Sequence, residues 1–321
     1  MRIKVSAPGK LMLLGEHAVV CGRPCLVTAV DQRMRAWASV LDELVLVIEA
    51  KDVGVSGYKK SIKELGKGKI PQEAKFVEIS VRNFIKKYAI NKGVFVKTKS
   101  EFSSRVGFGS SSASAVCTVK ALSELFNVKL SLKEIFDICY KTVLDIQGKG
   151  SGFDVAAAVY GGTLYYLTGG KIIKPLVIKK LPLVIGYTGF KASTSELIKL
   201  VAQKAEKYPQ VIENIYDEIE KLVKTAKKGL IKKDWSRFGQ LMDFNQGYLE
   251  SLGVGSRKLA NMIYGARKAG ALGAKLSGAG VGDCMIALVD KETRAGVEKA
   301  IESAGGEIIK LNFSAEGVRV E

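Results

Sequence analysis

The stretch Arg105-Val106-Gly107-Phe108-Gly109-Ser110-Ser111-Ser112-Ala113 decides how the rest of the chain is read, because it runs a glycine and serine loop straight into a helical pattern over residues 113–126. Glycine lets a backbone come close to a ligand. The first turn of the helix behind it offers unpaired N–H groups and a partial positive charge. Such a loop is built to cradle phosphate, and the hydroxyls of Ser110, Ser111 and Ser112 add donors for phosphate oxygens or a ligand for Mg²⁺. The same residues also fit an ordinary helix start with a serine N-cap. Both readings stand until other segments are weighed.

Composition narrows the class. The chain has 321 residues, 47% hydrophobic and 26% charged, which suits a soluble protein of two ordinary domains with substantial cores. The longest apolar runs, such as 44–48 and 181–185, are far shorter than the roughly 18 residues of a membrane span. The start, Met1-Arg2-Ile3-Lys4-Val5, carries neither a long apolar core nor a small-residue cleavage site, so the expected location is the cytoplasm, with no membrane partner. Cys21, Cys25, Cys117, Cys139 and Cys284 are odd in number and form no CxxC pair, and they read as reduced, mostly buried thiols. The net charge is +18. Its lysines are spread over many segments without interleaved aromatics, which favours solvated faces or an anionic small substrate over nucleic acid.

In chain order, residues 2–5 alternate as a strand that Ser6-Ala7-Pro8-Gly9-Lys10 then breaks, turning Lys10 toward a site. Lys10 there is either a surface lysine or a cation for a transferring phosphoryl group. His17, the single histidine, follows Glu16 in a glycine-bounded segment, and reads either as a structural residue or as a hydrogen-bond partner of a polar substrate. Residues 33–53 alternate as antiparallel strands, 54–68 read as an exposed lysine-rich connection, and 78–88 have helical spacing. A helix over 130–146 is capped by Ser131 with Glu134 three residues on. It ends in Gln147-Gly148-Lys149-Gly150-Ser151-Gly152-Phe153-Asp154. This bend aims Asp154 into a cleft, unless Asp154 simply caps the next helix.

A hairpin over 161–174 closes the first half, and 181–187 opens the second. The expected domains are 1–178 and 179–321. Residues 208–224 carry one apolar face, helices follow over 238–252 and 257–269, and Lys275-Leu276-Ser277-Gly278-Ala279-Gly280-Val281-Gly282-Asp283-Cys284 forms another glycine-rich loop before a strand over 285–289. A helix over 293–304 and a strand over 307–313 complete an α+β layout.

Three glycine-rich loops in one chain resemble the GHMP kinase superfamily. Pro8-Gly9-Lys10 with Gly15-Glu16-His17 is similar to its first motif, Gly107-Phe108-Gly109-Ser110-Ser111 to its second, and Lys275-Leu276-Ser277-Gly278-Ala279-Gly280 to its third. The resemblance covers essentially the whole chain. It implies a two-domain fold, with a ribosomal-protein-S5-like N-terminal domain that binds ATP, a ferredoxin-like C-terminal domain, and Mg²⁺-ATP in the cleft between them.

Within the superfamily, Gly15-Glu16-His17-Ala18-Val19-Val20, Gly186-Tyr187-Thr188-Gly189 and Leu252-Gly253-Val254 are most similar to the archaeal-type mevalonate kinases. That likeness implies Asp154 as the base that takes the substrate hydroxyl proton and Lys10 as the cation that lowers its pKa. Glu16, His17, Gly278 and Ala279 would meet the substrate, Gly107, Gly109 and Ser110 to Ser112 would hold phosphates, and Ser111 would bind Mg²⁺. The chain departs from the pattern where a second Mg²⁺ ligand, a glutamate, is expected: Val143 stands there. Asp145 two residues on is a substitute, or the metal rests on Ser111, phosphate and water. Arg105 and Lys149 are extra cations of the kind a phosphorylated acceptor needs, and Gly282-Asp283-Cys284 resembles phosphomevalonate kinases. Glu16-His17 suits a hydroxyl-bearing acceptor, so mevalonate is the expected substrate. The alternatives are mevalonate 5-phosphate and a basic nucleotide-binding protein without catalysis. A homodimer is left open.

Overall fold

The computed structural model describes residues 2–102, 106–178 and 180–321. Its first half comprises β1 Arg2–Leu14, β2 Pro24–Leu41, β3 Val45–Ala50, β4 Val55–Ser61, α1 Lys75–Tyr88, β5 Gly93–Ser100, α2 Ser110–Leu125, α3 Leu132–Gln147, α4 Phe153–Tyr160, β6 Thr163–Leu167 and β7 Ile172–Leu176. The second half comprises β8 Leu183–Tyr187, α5 Thr194–Lys207, α6 Pro209–Lys232, α7 Trp235–Ser251, α8 Arg257–Lys268, β9 Gly273–Ser277, β10 Cys284–Leu288, α9 Arg294–Ser303, β11 Glu307–Ile309 and β12 Arg319–Val320.

The elements form two sheets. In the first, β12, β1, β2, β5, β3 and β4 follow one another, with β6 and then β7 branching from β2. The second has the order β11, β8, β10, β9, every pair antiparallel. Numbered along the chain that is 4-1-3-2, with helices between its first and second strands and between its third and fourth. This is the ferredoxin-like arrangement, and the two-domain α+β fold expected from the motifs is present.

Small residues explain how the phosphate loop reaches the centre. In α2, Ala113, Ala115, Val116, Cys117, Val119, Ala121 and Leu122 are all buried. Their short side chains let the helix lie against both β1 and β2, with its N-terminus at residue 110. α3 starts with the capping box of Ser131 and Glu134, and α6 buries Ile212, Tyr216, Ile219, Val223, Ala226 and Leu230 along one face, as its 3.6-residue spacing predicts.

Four expectations change. Pro8-Gly9 does not end the first strand: β1 runs on to Leu14, and the proline, which has no amide to give, is absorbed by a register shift between Pro8 and Gly9. Residues 55–61 are not connection but an edge strand paired with β3. Of its two lysines Lys59 faces outward, and Lys60 turns in, 2.9 Å from Glu78, a fully buried carboxylate that also accepts from Tyr58 at 2.5 Å and the Gly66 amide at 2.7 Å. The start of the third glycine-rich loop, through Ser277, is strand: it belongs to β9. The tail beyond β11 is not an extension of the second sheet. It returns to the first, where Val320 pairs with Val5 and Arg33 donates to the carbonyls of Glu316 (2.8 Å) and Gly317 (2.7 Å).

Candidate active site

The three glycine-rich segments line one cleft of about 320 Å³ between the two sheets, within the size range of small-molecule sites. Lys10, Glu16, His17, Gly107, Gly109, Ser110, Ser111, Ser112, Lys149, Asp154, Gly278 and Ala279 all face it. Arg105 lies outside the described residues.

The phosphate loop ends in an uncapped helix. Gly109, not a serine, is the N-cap of α2, at φ 80°, and it has no side chain to cap that end. Ser110 to Ser112 therefore form the first helical turn, with amides and macrodipole directed at the cleft. Ser111 is exposed and Ser112 buried. A serine cap does not account for this loop, whereas an anion in the cleft would satisfy it.

Lys10 is stitched to the loop twice. Its backbone amide donates to the Phe108 carbonyl and its Nζ to the Gly107 carbonyl, each at 3.0 Å. The residue is 8% exposed, and its ammonium lies over the Phe153 ring at 5.2 Å and 3.5 Å from Oδ1 of Asp154. Asp154 sits in the first turn of α4, where the N-cap is Gly152, so it does not cap that helix. Its Oδ1 is buried without a hydrogen-bond partner, a carboxylate oxygen left for a ligand or a proton. The bend that aims it needs glycine: Gly152 has φ 86°, and a Cβ there would lie 2.7 Å from the Tyr140 ring and 2.8 Å from the Tyr166 hydroxyl.

Glu16 and His17 reach the cleft while tied to the second sheet. Glu16 pairs with Lys275 of β9, both side chains being almost wholly buried. His17 has a left-handed backbone, φ 58°. Its Nε2 lies 2.9 Å from the Ala279 carbonyl, which can only accept, so this nitrogen carries the hydrogen. Burial pulls the imidazole below the ordinary histidine value, and the Ala279 contact and the Glu16 charge offset part of that effect.

Asp145 does not stand in for a metal ligand at position 143. Its carboxylate accepts from Arg82 (2.6 Å), Asn83 (2.9 Å) and Lys141 (2.8 Å) on the outer side of α3. Val143 itself faces the cleft, and among the described residues no group of three or more His, Cys, Asp or Glu could hold a metal ion. A cation there would have the Ser111 hydroxyl and the phosphates of its nucleotide. That oxygen-only set fits Mg²⁺, which keeps few protein ligands.

The sequence did not reveal Lys191 and Thr194, which also line the cleft from the loop before α5 and from its first turn. No glycine-rich motif marks that helix. Of the five cysteines only Cys21 is exposed, and all are free.

The fold and this cleft agree with what the chain resembles. Residues 75–162 match the GHMP kinases N terminal domain and residues 226–307 the GHMP kinases C terminal domain. The chain belongs to the GHMP kinases, a family of ATP-dependent kinases. Its full-length relatives carry a more particular name: mevalonate kinase from Thermococcus sibiricus is 37% identical over 100% of this chain and 99% of its own, and mevalonate kinase from Pyrococcus abyssi is 38% identical over 99% and 98%. The crystal structure of the Methanococcus jannaschii mevalonate kinase superposes with a TM-score of 0.82 at 25% identity, covering 98% of this chain and 99% of that one.

Proposed function

We propose that this chain is a cytoplasmic mevalonate kinase that transfers the γ-phosphoryl group of ATP to the 5-hydroxyl of mevalonate. The observation that carries the reading is the Lys10–Asp154 pair, 3.5 Å apart, set beside the uncapped N-terminus of α2. In the transfer the acceptor hydroxyl oxygen bonds to the γ-phosphorus, the bond from that phosphorus to the β–γ bridging oxygen breaks, and ADP leaves. Asp154 takes the hydroxyl proton on its unpartnered oxygen. Lys10 and the amides of Ser110 to Ser112 meet the charge that builds on the phosphoryl oxygens. Positioning and such fixed charges are most of what this chemistry asks of a protein. Mg²⁺, when bound with the nucleotide, neutralises phosphate charge, and Ser111 is the side chain that would hold it. Glu16, His17, Gly278 and Ala279 shape the wall where the acceptor lies, and Lys149 at the rim suits its carboxylate.

The test is ADP release with ATP and mevalonate, run beside mevalonate 5-phosphate, with Asp154→Asn as the variant. Mevalonate is expected to turn over and to be preferred. Asp154→Asn is expected to keep ATP binding and lose roughly 10²–10⁴-fold in kcat, the usual contribution of a positioned base. Retention of activity within about tenfold removes Asp154 from that role. A preference for the phosphorylated acceptor replaces mevalonate as substrate, and turnover of neither leaves a nucleotide-binding protein.

A further inference from the structure

Asp283 is an acidic side chain of the cleft wall that has no ion-pair partner within 4 Å among the described residues and does not enter the transfer. It follows the third glycine-rich motif and is 5% exposed, and its Oδ1 has no hydrogen-bond partner. A buried carboxylate oxygen left bare is costly and calls for an explanation. Its backbone is left-handed too, φ 57°, a conformation a non-glycine residue keeps only where its surroundings impose it. They do so here: the Asp283 amide donates to the Phe190 carbonyl at 2.9 Å, and its own carbonyl accepts from the Thr188 amide at 2.9 Å and the Thr188 hydroxyl at 3.0 Å.

So fixed, the side chain reaches from the second sheet to the phosphate loop of the first. A Cβ on Gly107, whose φ is 49°, would lie 3.1 Å from the Asp283 Cγ and crowd the carboxylate. The carbonyl of that same Gly107 accepts from Lys10 Nζ at 3.0 Å. Burial pushes the Asp283 carboxyl up, and Lys10 is the leading charge that acts against this, ahead of Lys191 and the Ala192 amide. Lys10 thus has Asp154 at 3.5 Å as its ion-pair partner, and Asp283 acts on it from across Gly107, beyond ion-pair distance.

The Lys10 ammonium donates to the Gly107 carbonyl at 3.0 Å and stays 3.5 Å from Asp154, longer than a charge-assisted hydrogen bond. An ammonium drawn by two carboxylates is held off from closing on either. We infer that Asp283 is a positioning residue for the phosphoryl transfer: its carboxylate, set across Gly107, is the second counter-charge of Lys10 and keeps the ammonium at the phosphate loop instead of closing on Asp154. Asp154 then keeps an oxygen open for the acceptor proton, and Lys10 stays where phosphate charge develops. The consequence for turnover rests on the kinase reading above; the pull of two carboxylates on Lys10 does not.

Two measurements test it. Acetic anhydride acylates only an uncharged amine, so its rate at Lys10, followed by mass spectrometry on the intact protein, reports the counter-charges around that amine. In Asp154→Asn, where Asp154 no longer compensates, adding Asp283→Asn is expected to speed acylation of Lys10 about fivefold or more, and an unchanged rate overturns the proposal whether or not the protein turns over mevalonate. In the kinetic arm, Asp283→Asn is expected to lower kcat about 10- to 100-fold with KM for ATP and acceptor within about threefold. That loss should vanish when Lys10 is already Met. A loss that persists undiminished in Lys10→Met, or a rise confined to KM, overturns it. Asn tolerates the left-handed backbone, and Asp283→Gly, which suits φ 57° better still, repeats both arms if the first variant folds poorly. Should the wild type accept neither mevalonate nor its phosphate while acylation behaves as stated, the functional reading falls and the role of Asp283 as counter-charge stands.

Discussion

Glu16, in the first glycine-rich motif, and Lys275, at the entry to the third, form an ion pair with 1% and 0% of their side chains exposed. The pair crosses from the first sheet to the second and stands behind the cleft wall. Burial drives the Lys275 ammonium below its ordinary value and Glu16 is the charge that opposes this, while Oε2 of Glu16 has no hydrogen-bond partner. The second sheet is thus clamped to the substrate wall by two charges that depend on each other.

Removing one charge should therefore hurt more than removing both. Lys275→Met leaves Glu16 buried and alone, and is expected to cost about 3–5 kcal/mol. Glu16→Gln with Lys275→Met replaces the pair by groups of similar size and should recover most of that loss. Guanidinium midpoints of the three proteins decide it. Equal losses in the single and double variants would mean that the pair is not the clamp described.

Ser111 and Ser112 are neighbours in the first turn of α2, yet one is exposed to the cleft and the other is buried. Ser111→Ala is expected to raise the Mg²⁺ concentration for half-maximal activity roughly tenfold or more, the scale of a lost contact to a charged group. Ser112→Ala should change it little. A Mg²⁺ titration of both variants checks this, and matching small effects would leave both hydroxyls without a metal role.

His17 gives a clean pH experiment because it is the only histidine of the chain. Burial, the largest influence on it, depresses its folded pKa below 6.5. Below about pH 6.5 the unfolded chain then binds a proton that the folded one refuses, so this part of the stability is present above that pH and is lost as pH falls through the depressed value. Asp283 and Asp243, which burial raises, act with the opposite sign, losing stability as pH rises through their values. His17→Gln keeps a donor for the Ala279 carbonyl and removes only the first effect. Thermal unfolding of both proteins from about pH 7.5 to 5 should show the wild type losing ground to the variant below about pH 6.5, and parallel curves would refute the assignment.

Much of this was legible from the chain alone where the signal is local. Glycines at 107 and 109 before three serines, Ser131 with Glu134, and the apolar face of residues 212–223 each declare their structure within a few residues, since turns, caps and helical faces depend on near neighbours. The edge strand at 55–61 was not legible, because its lysines read as loop until β3 supplies a partner and Glu78 a buried acceptor. The same is true of Asp145: its spacing from Val143 made it look available, and only the packing of α1 against α3 brings Arg82 and Asn83 to claim it.

The sequence by itself determined that this chain is a two-domain GHMP kinase with a phosphate loop, a lysine and an aspartate in reach of it, because those features lie in short contiguous motifs whose residue types carry their own geometry. Only the tertiary structure decided that Lys10 pairs with Asp154, that Asp283 packs against Gly107, and that Glu16 is held by Lys275. The physical reason is distance along the chain. These contacts join residues more than a hundred positions apart, and charge, burial and close backbone approach act through space, which no local pattern encodes.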